Sequence, residues 1–104
     1  MTQNLTIQRW NSDRTPDVSE LQSRLRQEGF TGIHIFRDSP GASYPNHQHS
    51  YVEVRWLVEG EVTFGVGKQE YTLKPGDRLD MPENTVHNAK MHPQKGAVYV
   101  CASK

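Results

Sequence analysis

Four side chains in this sequence have the types and spacing for metal chemistry. His47 and His49 stand two residues apart, so on a strand both imidazoles project from the same face. Their ring nitrogens can then meet one ion at about 2.0–2.2 Å. Glu53 follows after a three-residue spacing that leaves room for a turn or bulge. His87 lies far along the chain, just after Pro82, and must come from a strand folded back alongside. Three neutral imidazoles and one carboxylate suit divalent Fe, Mn, Ni, Co, Cu or Zn better than Mg or Ca. A His-x-His pair alone is weak evidence, because it occurs by chance and often on surfaces.

The elements that must hold these residues are strands. Apolar alternation or β-branched clusters mark Ile33–Arg37, Val52–Val58, Val62–Val66, Gln69–Leu73, Arg78–Met81 and Ala97–Cys101. Turn formers separate them at Pro40-Gly41, Glu59-Gly60, Gly65 to Lys68, Pro75-Gly76 and Pro93. Arg78-Leu79-Asp80-Met81 alternates cleanly, which predicts Leu79 and Met81 inward and the charges outward. Many short strands with punctuated turns predict an antiparallel sandwich or barrel. One helix is readable at about residues 17–28. Asp17 is placed to cap it, with Glu20 completing a capping box. Val18, Leu21 and Leu25 share a face, Gly29 ends the helix, and Gln22, Arg24, Arg26 and Gln27 form a solvated side. Thr15 with Pro16 at the first helical position is an equally good start. The division is thus an N-terminal segment, 1–31, carrying the helix, and a β domain, 32–104.

Composition narrows the class. Leu, Ile, Val and Phe supply 21 of 104 residues, about 20%, which borders on disorder. Twelve basic residues balance 12 acidic ones, however, and disorder of that kind needs a large net charge. Neutrality also argues against nucleic acid or an anionic membrane as partner. No stretch approaches the ~20 apolar residues of a membrane span. Residues 1–10 lack a secretory layout, and the single cysteine, Cys101, excludes a disulfide framework and fits a reducing, cytoplasmic compartment. Cys101 itself is expected to be a semi-buried strand residue rather than a reactive thiol. Asn4-Leu5-Thr6 is formally a glycosylation acceptor, read here as chance.

The sequence resembles the cupin superfamily, in its small single-domain form with a type-2 conserved barrel. Gly41-Ala42-Ser43-Tyr44-Pro45-Asn46-His47-Gln48-His49-Ser50-Tyr51-Val52-Glu53, with Gly60 following, matches the first cupin motif. Gly76, Pro82 and His87 match the second, where Asn84 stands in place of a common glycine and Met91 in place of a common asparagine. The resemblance spans about residues 33 to 101. It implies an all-β, antiparallel double-sheet β-barrel of jelly-roll type. His47, His49, Glu53 and His87 would converge inside it on one divalent transition metal. Gly41, Gly60 and Gly76 read as turn residues without chemistry.

Other polar and aromatic positions are weighed against plain packing. Arg55 lies two residues after Glu53, so strand parity puts it on the same face. A buried guanidinium is expensive unless it meets an anion. It therefore either holds a substrate carboxylate or phosphate, turns outward at a bulge, or pairs with a nearby acid. Tyr44, Tyr51, Trp56 and Met81 are candidate pocket walls, although such side chains are more often core. His34 and His92 read as packed or surface residues. In the enzyme reading three histidines and Glu53 fill four positions of an octahedron. Two adjacent sites are then left for a bidentate hydroxy acid, enediol or catechol-like ring. The resemblance implies a dioxygenase, lyase, isomerase or cyclase, without choosing among them. The alternative is a non-catalytic cupin that binds or senses a small molecule. A homodimer is expected, with an exposed sheet edge or the face around Trp10, Ile33 and Phe36 as the contact.

Overall fold

The computed structural model describes residues 5–104, so Asn4 of the acceptor triplet lies outside it. The elements run β1 (Thr6–Gln8), α1 (Val18–Gln27), β2 (Thr31–Asp38), β3 (Ser43–His47), β4 (Glu53–Gly60), β5 (Val62–Val66), β6 (Gln69–Leu73), β7 (Arg78–Met81), β8 (His87–Met91) and β9 (Ala97–Ser103). The strands form a five-stranded sheet in the order β1-β7-β4-β9-β2 and a four-stranded sheet in the order β3-β8-β5-β6. Every pairing is antiparallel. The fold is therefore the expected antiparallel double sheet with a short N-terminal helix. Its strands make two separate sheets rather than one continuous ring of hydrogen bonds. Three strands, β1, β3 and β8, lie outside the apolar runs marked in the sequence, of which β8 is the one His87 required.

Strand alternation divides the apolar residues into two layers. One face of the five-stranded sheet gives Leu57, Leu79, Met81, Tyr99 and Cys101 to a core shared with Val62, Phe64, Leu73, Ala89 and Met91 of the other sheet. The opposite face gives Val54, Trp56, Val58, Val100 and Ala102 to a second core under α1, where Leu21, Leu25 and Phe30 complete it. Leu21 and Leu25 are almost fully buried, each worth about 1.5–3 kcal/mol. Trp56 thus faces the helix and not the gap between the sheets.

Asp17 caps α1, its carboxylate accepting from the Ser19 backbone N–H at 3.0 Å. The capping box does not close, because the Glu20 carboxylate accepts from Arg14 instead, at 3.2 and 3.3 Å. The helix ends at Gly29 as expected, with the Phe30 N–H returning to the Leu25 carbonyl at 3.0 Å.

The outward charges of β7 need one correction. Arg78 is 3% exposed, because the outer face of this sheet meets the helix layer and not water. Its guanidinium donates to both oxygens of Glu28, at 2.9 and 2.8 Å, and to both oxygens of Asp80, at 2.7 and 2.9 Å. It also lies over the Phe30 and Trp56 rings. A buried guanidinium is tolerable here because two carboxylates and two rings surround it.

The face proposed for a dimer is not one surface. Ile33 packs against the helix-side core, whereas Phe36 packs against the core between the sheets. The Trp10 backbone N–H donates to the Asp77 carboxylate at 2.8 Å, far from β2. No helix among the described residues is long and apolar enough to cross a membrane.

Candidate metal centre

His47 and His87 are direct cross-strand neighbours on β3 and β8. The expected strand folded back alongside is thus β8. His49 is not on the strand: β3 ends at His47, and His49 lies on the segment leading to β4. That segment is held where the Asn84 N–H donates to the His49 carbonyl at 2.7 Å. Asn84 adopts φ 58, the left-handed turn for which an asparagine is well suited. A ring nitrogen from each of His47, His49 and His87 lies within 4.8 Å of the other two.

Backbone carbonyls orient two of the rings. His47 Nδ1 donates to the Pro45 carbonyl at 2.7 Å, and His87 Nδ1 donates to the Thr85 carbonyl at 2.8 Å. A carbonyl only accepts, so Nδ1 carries the proton, and in the neutral ring the lone pair is then on Nε2. This is the tautomer a metal ligand needs. His49 packs flat against Tyr51, with ring centroids 5.0 Å apart, and its Nδ1 lies 3.3 Å from the Tyr51 hydroxyl. His49 Nε2 is buried with no hydrogen-bond partner. Glu53 Oε2 lies 3.5 Å from it, too far for a good hydrogen bond. Leaving such a nitrogen orphaned costs about 1–3 kcal/mol, which a cation at this point would offset. The donor set and the orphaned atom therefore fit a divalent transition metal.

Burial holds the His87 pKa below the ordinary histidine value, and its His47 and His49 neighbours add to that, while Thr85 and Glu53 oppose it. The ring is thus neutral and ready to ligate at neutral pH. Below about pH 6.5 the unfolded chain takes up a proton that the folded chain resists, so stability falls as pH falls. The metal-free protein is expected to lose Tm between pH 7 and 5.5, and His87→Gln is expected to flatten that slope. Parallel profiles for the two proteins would refute the assignment.

The histidines stand in a cavity of about 240 Å3 between the two sheets. Glu53, Arg55, Phe36 and Tyr99 line it from the five-stranded sheet, and Tyr44, Phe64 and Ala89 from the other. A second hollow of about 270 Å3 shares Phe36, His49, Glu53 and Arg55 and adds His34, Tyr51 and Cys101. Tyr51 therefore lies at that hollow, and Met81 is 2% exposed in the core, outside both linings. Arg55 is not extended into solvent. Its Nε donates to Glu53 Oε1 at 3.0 Å and its Nη1 to the Cys101 sulfur at 2.8 Å. Burial pushes the Cys101 thiol up to about 11 against the pull of Arg55, so the thiol is neutral and unreactive at physiological pH. His92 accepts from the Gln94 and Lys95 backbone N–H groups in its own turn, away from the cluster.

Asp38 was not singled out in the sequence. One of its oxygens accepts from the Tyr44 hydroxyl and the other from the Tyr99 hydroxyl, each at 2.6 Å. Donation to Asp38 raises the Tyr44 pKa, and burial first and Asp38 second raise that of Tyr99. Both phenols stay protonated. Alternation along β9 places Tyr99 with Cys101, but only the sheet order puts that face against Arg55. Phe36, Phe64 and Ala89 were missed for the same reason.

The family model described as Cupin domain matches residues 34–103. The chain is 29% identical over 94 residues to acireductone dioxygenase of Bacillus licheniformis, covering 86% of this chain and 42% of that protein. It is 40% identical over 47 residues to quercetin 2,3-dioxygenase of Bacillus subtilis, covering 44% of this chain and 14% of that protein. The chain thus spans less than half the length of these two curated relatives. An RmlC-like cupin from Shewanella frigidimarina superposes with a TM-score of 0.59 at 27% identity, over 68% of this chain and 63% of that one. DMSP lyase DddQ from Ruegeria pomeroyi superposes with a TM-score of 0.60 at 25% identity, over 69% of this chain and 37% of that one.

Proposed function

Because the chain belongs to the cupin family, we propose that it is a metal-dependent enzyme acting on a small, chelating organic substrate. The observation that carries this reading is the convergence of three histidine ring nitrogens within 4.8 Å, one of them buried without a partner. His47, His49 and His87, with Glu53, would hold one divalent transition metal of the Fe, Mn, Ni, Co, Cu or Zn group. When bound, the metal supplies Lewis-acid or redox chemistry to a substrate that chelates it.

The rest of the cavity sets what the chain itself contributes. Its volume of about 240 Å3 lies below the range usual for drug-sized ligands, which favours a compact molecule. Phe36, Phe64 and Ala89 supply apolar wall beside the histidines. The Tyr44 and Tyr99 hydroxyls spend their protons on Asp38. Their oxygens are then free to accept from a ligand hydroxyl. A substrate with two metal-seeking oxygens at one end and a hydrogen-bond donor at the other matches both ends. The reading takes a cytoplasmic homodimer as the working unit.

The similarity to two dioxygenases makes oxygen chemistry the first reaction to test. The purified protein is expected to carry about one transition-metal ion per chain. Loaded with ferrous iron, it is expected to consume oxygen with at least one member of a panel of diols, keto acids and phenols. Binding of a panel member without turnover would move the reading to a non-catalytic, ligand-binding cupin. Failure to hold any transition metal would remove the basis for both.

A further inference from the structure

Arg55 is charged, half-buried and unused by the chemistry above, and its surroundings show what it does. Glu53 presents two oxygens in different directions. Oε1 accepts from Arg55 Nε at 3.0 Å, while Oε2 lies 3.5 Å from the unpartnered Nε2 of His49. The guanidinium is itself fixed. Nη1 donates to the Cys101 sulfur at 2.8 Å, and its carbon lies 5.0 Å from the Tyr99 ring centroid and 5.8 Å from that of Phe36. Those two rings stack with centroids 5.7 Å apart and 18° between their planes.

We propose that Arg55 is a positioning residue for Glu53. Held by Cys101, Phe36 and Tyr99, it fixes Oε1 and leaves Oε2 as the oxygen nearer His49, 3.5 Å from its Nε2. The inference rests on the reading that this cluster holds a metal. Its logic is that of outer partners in metal sites generally: a ligand that must rotate into place binds more weakly than one already held. On this assignment Arg55 acts through Glu53 and not as the receptor of a substrate carboxylate or phosphate.

Cobalt(II) alone is a sufficient probe, because both its affinity and its visible absorption report the ligand set. Arg55→Gln is expected to weaken Co(II) binding by about 10- to 100-fold, the usual cost of losing an outer partner. Its absorption spectrum is expected to shift toward that of Glu53→Gln. Arg55→Lys keeps the charge but not the fork, and is expected to lose affinity partway. Adding Arg55→Gln to Glu53→Gln should cost less than about twofold more, because the group it positions is already gone. Wild-type Co(II) affinity and spectrum in both Arg55 variants would overturn the inference while leaving the metal site standing. So would fully additive losses in the double variant. Absence of Co(II) binding by the wild-type protein would overturn the metal reading together with it.

Discussion

His49→Ala is expected to reduce the metal content of the purified protein from about one ion per chain to background. The loss of affinity should exceed the ten- to hundredfold typical of removing an outer partner. His49 is the informative position of the three because its removal costs the fold least. It lies beyond the end of β3, and its side chain leaves Nε2 without a hydrogen bond. By contrast His87 is 2% exposed, and truncating it would also open a cavity. The metal-free variant should therefore be no more than about 0.5 kcal/mol less stable than the metal-free wild type, since removal of the orphaned nitrogen works in its favour. Metal at a hundred times its dissociation constant should raise wild-type stability by about 2.7 kcal/mol and leave the variant unmoved. Plasma emission analysis and thermal melts with and without metal give both numbers. Equal metal in the two proteins would sink the site.

Gly60→Ala is expected to be severely damaging, at about 3–5 kcal/mol. Gly60 has φ +84, and a Cβ there would lie 2.1 Å from the Gly96 carbonyl oxygen, 2.8 Å from its carbon and 3.0 Å from Ala97 Cα. The conformation alone costs a non-glycine residue roughly 1–2 kcal/mol. The overlap adds more, because every atom met is backbone and no rotamer can yield. Gly60 pairs directly with Ala97, so relief means prising the start of β9 away from β4. For a domain whose total stability is about 5–15 kcal/mol, that is a large fraction. Gly67 is the control. Its φ is +59, but a Cβ there meets nothing within 4 Å, so Gly67→Ala should cost only the conformational part, about 1–2 kcal/mol. Urea unfolding of the two variants decides the matter, and equal costs would show that the contact with Gly96 yields easily.

How much could be read from the sequence differed by strand. β5, β6 and β7 have the bounds that alternation marks, Val62–Val66, Gln69–Leu73 and Arg78–Met81, because each carries apolar residues every second position. β3 gave no such signal, and β8 only the pair Ala89 and Met91. Ser43-Tyr44-Pro45-Asn46-His47 is mostly exposed at a sheet edge, and His87-Asn88-Ala89-Lys90-Met91 contains no β-branched residue. These two strands carry His47 and His87, so the side chains suited to chemistry replaced those that announce a strand. Histidine spacing supplied the missing information, since it required a strand folded back beside His47. Burial of Arg78 and the role of Asp38 were out of reach for another reason. Each depends on which layer covers a face or which strands meet across the gap, and periodicity reports only that a face exists.

The order of strands in the larger sheet also says when the site comes into being. β9, the last strand of the chain, lies between β4 and β2. Arg55 can stack on Tyr99, and Phe36 can reach the same cavity, only after Ala97–Ser103 has inserted between two strands made much earlier. β1 likewise waits for β7, with Arg9 bonded to Asp77 across 68 residues of sequence. During synthesis His47, His49 and Glu53 therefore emerge well before Tyr99, whereas His87 precedes the start of β9 by only ten residues. Closure is a late event that joins distant segments together, the kind of topology that folds in milliseconds to seconds rather than microseconds. An ion captured before that step would meet histidines on loose chain, and one captured afterwards would meet a finished site.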